Sequence, residues 1–312
     1  MATNKYSNQP TQQKTFYNRT LLERLLPNLL FVKYGQKKPI PKNEGATVDF
    51  RRFQRLEPAT TPLVEGVTPT GKRVDIINIT ATVEGYGDFV EHSDFIDMVG
   101  IDPFVTEVLE VQGEQAAETL DEVVRDVVVA GTNVFRVNSR GTRAEVLAGD
   151  TMDGATMRRV RQVMARNNVK KMPGMNGYLG IIHPDVAHDI MGDSGWTNAN
   201  QYAGSEKLFE GEIGKLYGVK YVETTKAPIW PGAGDGGTDV YGSVIIGANA
   251  YGVPDIAGSS KPDTIVKPLG SGGTSDPLDQ RGSIGWKAYL ASIRLDELCI
   301  LRVESSASVG AL

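Results

Sequence analysis

Residues Asp102 to Gly131, DPFVTEVLEVQGEQAAETLDEVVRDVVVAG, carry one sustained helical period, longer than a compact domain needs. Asp102 supplies an N-cap and Pro103 stands at the first helical position, where its missing N–H costs nothing. Gly131 follows the last apolar residue as a C-terminal stop. Between them Val105, Leu109, Ala116, Leu120, Val123 and Val127 form one apolar stripe. Glu107, Glu114, Glu118 and Glu122 fall on the opposite side, and Asp121 is placed to pair with Arg125 one turn on. Gly113 lies on the stripe side. A helix of roughly 28 residues is about 42 Å long. It serves as a spine on which other elements are laid, or as an ordinary long core helix.

The charge balance narrows what such a chain does. The formal net charge is -5 over 312 residues, which does not indicate tight, charge-driven nucleic-acid binding. The single cysteine, Cys299 in ELCILRVE, reads as a small buried hydrophobe, excludes an internal disulfide framework and fits a reducing compartment. No apolar run approaches ~18 residues, so no membrane-spanning helix is expected. The N-terminal MATNKYSNQPTQQK lacks the apolar core of a signal peptide.

In chain order, residues 1–17 are too polar to bury a core and read as an arm. Thr20 and Glu23 make a capping box ahead of Leu21, Leu22, Leu25 and Leu26, and Leu29 to Val32 extend an apolar strip that docks on the chain's own body or on a neighbour. Residues 45–56 alternate, with Ala46, Val48 and Phe50 on one face, and 73–84 alternate again through Ile77, Ile79, Ala81 and Val83. The Pro-, Gly- and Thr-rich stretch 57–72 between them makes a long hairpin with a wide tip. A two-stranded hairpin is marginal alone in water, so it needs a surface to lie on. A second helix is expected over 151–169, ended by Asn167 and Asn168. Strands are expected at 177–184, around 219–223 and at 241–252, with two more between 285 and 303. A short helix opens at Pro184, another lies near 205–210, and the Gly-, Ser- and Pro-rich 257–280 reads as a loop. The class is α+β.

Candidate chemistry is sparse. Gly232–Gly237 fits a G-x-G-x-x-G pattern, but a dinucleotide site needs a strand before it and a helix after it, and neither is expected here. His183, Asp185, His188 and Asp189 cluster in HPDVAHD; two histidines five apart diverge by about 140° on a helix and cannot share a metal from it. The pattern fits a strand–helix junction with polar caps. Arg159 and Arg166 with Lys170, and Arg51, Arg52 and Arg55, are two basic groups that suit phosphate, a solvated face or ion pairs between subunits. No catalytic residue, cofactor site or metal site is assigned.

Four stretches taken together resemble the major capsid proteins of tailed bacteriophages, whose coat fold also occurs in herpesviruses. They are PKNEGATVDFRRFQRLEPATTPLVEGVTP at 41–69, the spine helix with EQAAETLDE, YLGIIHPDVAHDIM at 178–191, and GEIGKLYGVKYVETTKAP at 211–228. The resemblance runs from about Leu21 to Val303. It implies an N-terminal arm over 1–42, an extended hairpin loop over 43–90 and a peripheral domain over 91–148, with its spine helix at 103–130. It further implies an axial domain over 149–282 and C-terminal strands, 283–312, that return to the peripheral domain. The implied function is an icosahedral shell of hexamers and pentamers around non-specifically packaged double-stranded DNA, assembled in the bacterial host cytoplasm. Implied partners are further copies of the chain, a portal, a decoration protein and, since no long helical scaffold segment precedes the arm, a separate scaffolding protein. Contacts between subunits are expected at Leu25, Leu29, Phe31, Pro62, Val64, Glu65 and Lys72. Some relatives join subunits by a Lys–Asn isopeptide bond, for which Lys72 is the one obvious donor position. A closed bacterial nanocompartment of the same fold is a further structural reading. An enzyme or ligand-binding protein using Gly232–Gly237 or His183–Asp189 is the alternative of another class.

Overall fold

The computed structural model describes residues 29–40, 45–99, 104–193, 214–256, 262–272 and 276–309. The spine is a 26-residue helix, Phe104–Val129. Its expected start at Asp102 and Pro103 lies outside the described residues, as do the expected helices at 21–26 and 205–210. Leu109, Ala116 and Leu120 are buried along it, but the seam then runs through Val124 and Val128, leaving Val123 and Val127 only half-buried. The expected stripe is rotated because two polar side chains lie on the true seam. Gln112 Nε2 donates to the carbonyl of Ile284 at 2.8 Å, and Asp121 Oδ1 accepts from the backbone N–H of Val32 at 3.1 Å. Asp121 therefore does not pair with Arg125, whose guanidinium instead reaches Asp126 at 2.8 Å and Glu122 at 3.5 Å.

The end of the spine also differs from the glycine stop read from Gly131. Arg294 Nη1 donates to the carbonyl of Val127 at 3.0 Å, and Arg302 Nη1 reaches the carbonyls of Val129 and Gly131. Guanidinium groups thus meet the orphan carbonyls and the negative end of the helix dipole.

A large sheet packs beneath the spine. Its order is β5 (Val134–Arg136), β15 (Ile300–Ser305), β10 (Val240–Ile246), β6 (Tyr178–Ile182), β8 (Val219–Glu223) and β7 (Lys215–Leu216), with β9 (Ile229–Trp230) also on β10. Every residue of β6 and β10 is buried, as expected of strands covered on both faces. One face carries Leu179, Ile181, Val244 and Ile246 toward Leu120, Val124 and Val128 of the spine. The other carries Tyr178, Ile182, Ile245 and Val303 toward Met157, Val160 and Met164 of helix Gly154–Arg166, and toward Val186 and Ile190 of helix Pro184–Gly192. Helix Gly154–Arg166 is shorter than expected, because the Asp153 side chain caps it by accepting from the N–H of Thr156 at 2.8 Å.

A second sheet, β12 (Asp263–Lys267), β13 (Arg281–Leu290) and β4 (Glu84–Ser93), lies against the spine through Trp286 and Ala288. β12 lies inside the stretch read as a loop: its alternation, Thr264 buried and Ile265 exposed, is too short to stand out of a Gly/Ser/Pro background. The C-terminal stretch 283–312 does not stay together. β13 pairs with β4, whereas β15 enters the large sheet between β5 and β10.

A third sheet joins β1 (Gln36–Ile40), β11 (Tyr251–Ile256) and β14 (Ile293–Arg294). The hairpin β2 (Thr47–Phe53) and β3 (Ile76–Thr82) stands on it. Val48, Phe50 and Ala81 bury their common face against Ile40, Ala291 and Leu295. Gly252 has no room for a side chain, since a Cβ there would lie 2.6 Å from the Phe50 ring.

Candidate inter-subunit surfaces

The hairpin leaves the body beyond its root. From Phe53 to Ile76 every residue is exposed, so the whole tip, including Pro62, Val64, Glu65 and Lys72, contributes no buried surface to its own subunit. Leu63 is 78 % exposed, Val64 67 % and Val67 62 %. Lys72 Nζ donates to the carbonyl of Glu57 at 3.1 Å, which ties the two sides of the tip together. At the root Arg52 is fixed to Asp296 at 2.9 Å and to the carbonyl of Leu295 at 3.1 Å, while Arg51 and Arg55 remain exposed. Of the basic triplet read from sequence, one member is thus structural. Exposed Leu and Val side chains thus gather at the end of an extended arm.

The arm approaches from the other side. Its short helix Phe31–Tyr34 lies on the spine. Phe31 is fully buried in the subunit's own core, which corrects the expectation that it contacts a neighbour; the apolar strip was legible, but not which subunit covers it. Leu29 packs half-buried against the same core, and Leu25 lies outside the described residues. Two polar groups hold the helix. Tyr251 donates its hydroxyl to the carbonyl of Phe31 at 2.6 Å, and Asp121 accepts from the N–H of Val32. Burial drives the Asp121 pKa up to about 6, outweighing the backbone bonds from Val32, Phe31 and Leu30 and the charge of Arg125. The sequence singled out Asp121 only as a partner for Arg125, and nothing in it pointed to a buried anchor for the arm.

This shift has a definite sign. A carboxyl whose folded pKa lies above its unfolded value near 3.9 holds its proton longer in the folded chain. Its contribution is fully present below pH 4 and is lost as pH rises through about 6. Asp121→Asn is therefore expected to remove a decline in stability of about 2–3 kcal/mol between pH 4 and pH 7. Urea melts of both proteins across that window check it; parallel profiles would show that the carboxyl titrates normally.

A third cluster ties distant segments together. Glu304 is fully buried on β15, and its carboxylate accepts from Arg136 at 2.8 Å, Arg143 at 2.6 Å and Arg302 at 3.1 Å. The Arg143 guanidinium lies 3.5 Å from the centre of the Trp230 ring, and that ring covers Gly242, where a Cβ would lie 2.8 Å from it. Charged partners spaced 161 and 168 residues from Glu304 are invisible to a reading of local pattern.

The stretches considered for chemistry do other work. His183 caps helix Pro184–Gly192, its Nδ1 accepting from the N–H of Asp185 at 3.2 Å, and Asp185 accepts from the Tyr241 hydroxyl at 2.8 Å. His188 points outward, and Asp189 binds Ser308. In Gly232–Gly237 the N–H of Gly232 donates to Asp239 at 2.7 Å, that of Gly234 to Thr238 at 2.8 Å and that of Asp235 to Val146 at 2.9 Å. These donors are occupied within the loop and its surroundings, and β10 rather than a helix follows. The arrangement does not support a dinucleotide site. The Cys299 thiol is pushed up to about 11 by burial and by Asp296, which makes it a poor nucleophile.

Residues 77–303 match the model of a phage capsid protein family. A comparison of the sequence with curated proteins finds no match. The fold is similar to the capsid of Ralstonia phage GP4, with a TM-score of 0.73 at 12 % identity, covering 89 % of this chain and 88 % of that one. It is similar also to the capsid of cyanophage Pam1, with a TM-score of 0.68 at 16 % identity over 91 % and 92 % of the two chains. A virus-like particle from Pyrococcus furiosus matches at a TM-score of 0.53 and 10 % identity, over 94 % of this chain and 100 % of that one.

Proposed function

Because the chain belongs to the phage capsid protein family and is a structural subunit of a homo-oligomeric shell, we propose that its copies form a closed icosahedral capsid of hexamers and pentamers around double-stranded DNA. The observation that carries the mode of assembly is the hairpin tip. It is fully exposed, is apolar at Leu63, Val64 and Val67, and gains nothing from its own subunit. In the shell the tip lies on an adjacent subunit, with Pro62, Val64, Glu65 and Lys72 at the contact. The likeness to phage capsids supports a portal, a scaffolding protein and a decoration protein as further partners, and assembly in the host cytoplasm.

Electron microscopy of the purified full chain, alone and co-expressed with the products of neighbouring genes, tests the reading. Closed shells with pentameric vertices are expected in at least one preparation. A protein that stays monomeric in every preparation, at concentrations of tens of micromolar, would count against assembly through this surface.

A further inference from the structure

The two long helices carry opposite charge. On the spine Glu110, Glu114, Glu118, Glu122 and Asp126 recur at every fourth residue, and Lys226 and Arg125 answer its C-terminal half. On helix Gly154–Arg166 the exposed side holds Arg158, Arg159, Arg161 and Arg166 and no acid at all. In a chain of net charge -5 this is a strong local segregation.

The basic side extends beyond the helix. Arg158 Nη1 donates to the Tyr217 hydroxyl at 3.1 Å with its guanidinium 5.2 Å from the ring centre, and Arg161 lies against the backbone of Gly218. Lys215 is held beside them by the carbonyls of Asn176 at 3.0 Å and Met175 at 3.4 Å, and Lys170 is exposed just past the helix end. None of these six cations is in an ion pair with a described acidic residue.

The composition of this face selects its partner. Most exposed large apolar residues among the described ones lie on the hairpin and on β4, β12 and β13 or beside them, with others such as Val111, Leu147 and Met191 scattered; none falls within 154–171 or 214–223. Protein interfaces favour arginine and tyrosine too, but they are poor in lysine and apolar at their centre; among its described residues this face has two lysines and no exposed large apolar side chain, which weighs against a protein partner. Cations spread along about 12 Å of helix and just beyond its end suit a sugar–phosphate backbone, and a guanidinium braced on a tyrosine is held out for a phosphate at little entropic cost. We propose that this face binds the phosphate backbone of duplex DNA without reading bases, and so faces the interior of the shell. The proposal rests on the shell reading above.

The test uses the full chain and a fluorescently labelled 20-base-pair duplex, followed by anisotropy between 50 and 200 mM salt. Three phosphate contacts predict that affinity falls roughly 40-fold over that range, equally for two unrelated sequences. Arg158→Glu, Arg161→Glu and Arg166→Glu together are expected to lose at least tenfold in affinity and to flatten the salt dependence. The triple Arg→Gln variant does the same if charge reversal impairs folding, and Arg51→Glu with Arg55→Glu on the hairpin leaves binding unchanged. Unaltered DNA binding by both triple variants overturns the proposal, and so does the absence of salt-dependent binding by the wild-type chain. A triple variant that binds DNA normally yet forms no shells would show that the face meets protein instead. Shells are scored separately by microscopy, so their absence from the wild-type protein counts against the assembly reading whatever the DNA result.

Discussion

A chain whose residues 58–71 are replaced by an Asn-Gly turn is expected to fold and melt as the full chain does, yet to form no shells. The folded subunit loses nothing measurable because every residue of that stretch is exposed in it. The hairpin keeps its root, where Val48, Phe50 and Ala81 pack on Ile40, Ala291 and Leu295, and where Arg52 holds Asp296 at 2.9 Å. The shell loses a great deal. If the tip lies on a neighbour, burying Leu63, Val64 and Val67 there would contribute roughly 2 kcal/mol each, repeated at every subunit contact. Circular dichroism, a melting curve and electron microscopy check the three parts. A midpoint within about 2 °C of the full chain is expected. Normal particles from the shortened chain would show that assembly proceeds through other surfaces.

The same structure shows which parts of the fold local pattern could carry. The root of the hairpin was legible because alternation, read over 45–56 and 73–84, is a property of each strand alone; the strands themselves are the shorter β2 and β3. So were the buried side of helix Gly154–Arg166, read from Met157, Val160 and Met164, and the capping role of His183. The seam of the spine was not. Whether Gln112 and Asp121 lie inside depends on Ile284 and Val32, which are 172 and 89 residues away. A polar side chain is expected outside unless a partner is known to meet it, and sequence periodicity names no partners. The insertion of β15 between β5 and β10 has the same character: strand order is a long-range fact, and the run ILRVES reads alike in any sheet. The hairpin tip was assigned correctly as a stretch without a core, and the arm strip less so, because an apolar run says that burial occurs but not where.

Replacing Glu304 by alanine is expected to cost about 3–5 kcal/mol at pH 7, the largest effect of any single side chain outside the apolar core. The carboxylate joins Arg136 of β5, Arg143 of the turn after it and Arg302 of β15. Without it three guanidinium groups face one another, all at least partly withdrawn from water. Burial already lowers the pKa of Arg302. The cost has a characteristic dependence on pH. Burial would raise the pKa of Glu304, but the bond from Arg143 and the charges of Arg143, Arg302 and Arg136 outweigh it and hold the carboxyl below its ordinary value. A depressed carboxyl stabilises the fold above its unfolded pKa, near 4.3, and loses that contribution as pH falls through the folded value. The gap between wild type and Glu304→Ala should therefore be widest at neutral pH and begin to narrow once the pH falls below the unfolded value near 4.3. Glu304→Gln keeps the acceptor oxygen and the volume, so it is expected to fall between the two. Urea melts at pH 7 and pH 3.5 decide the matter: a gap under about 0.5 kcal/mol at pH 7, or one that is unchanged at pH 3.5, would mean that the three arginines are satisfied by water and carry no stabilising network.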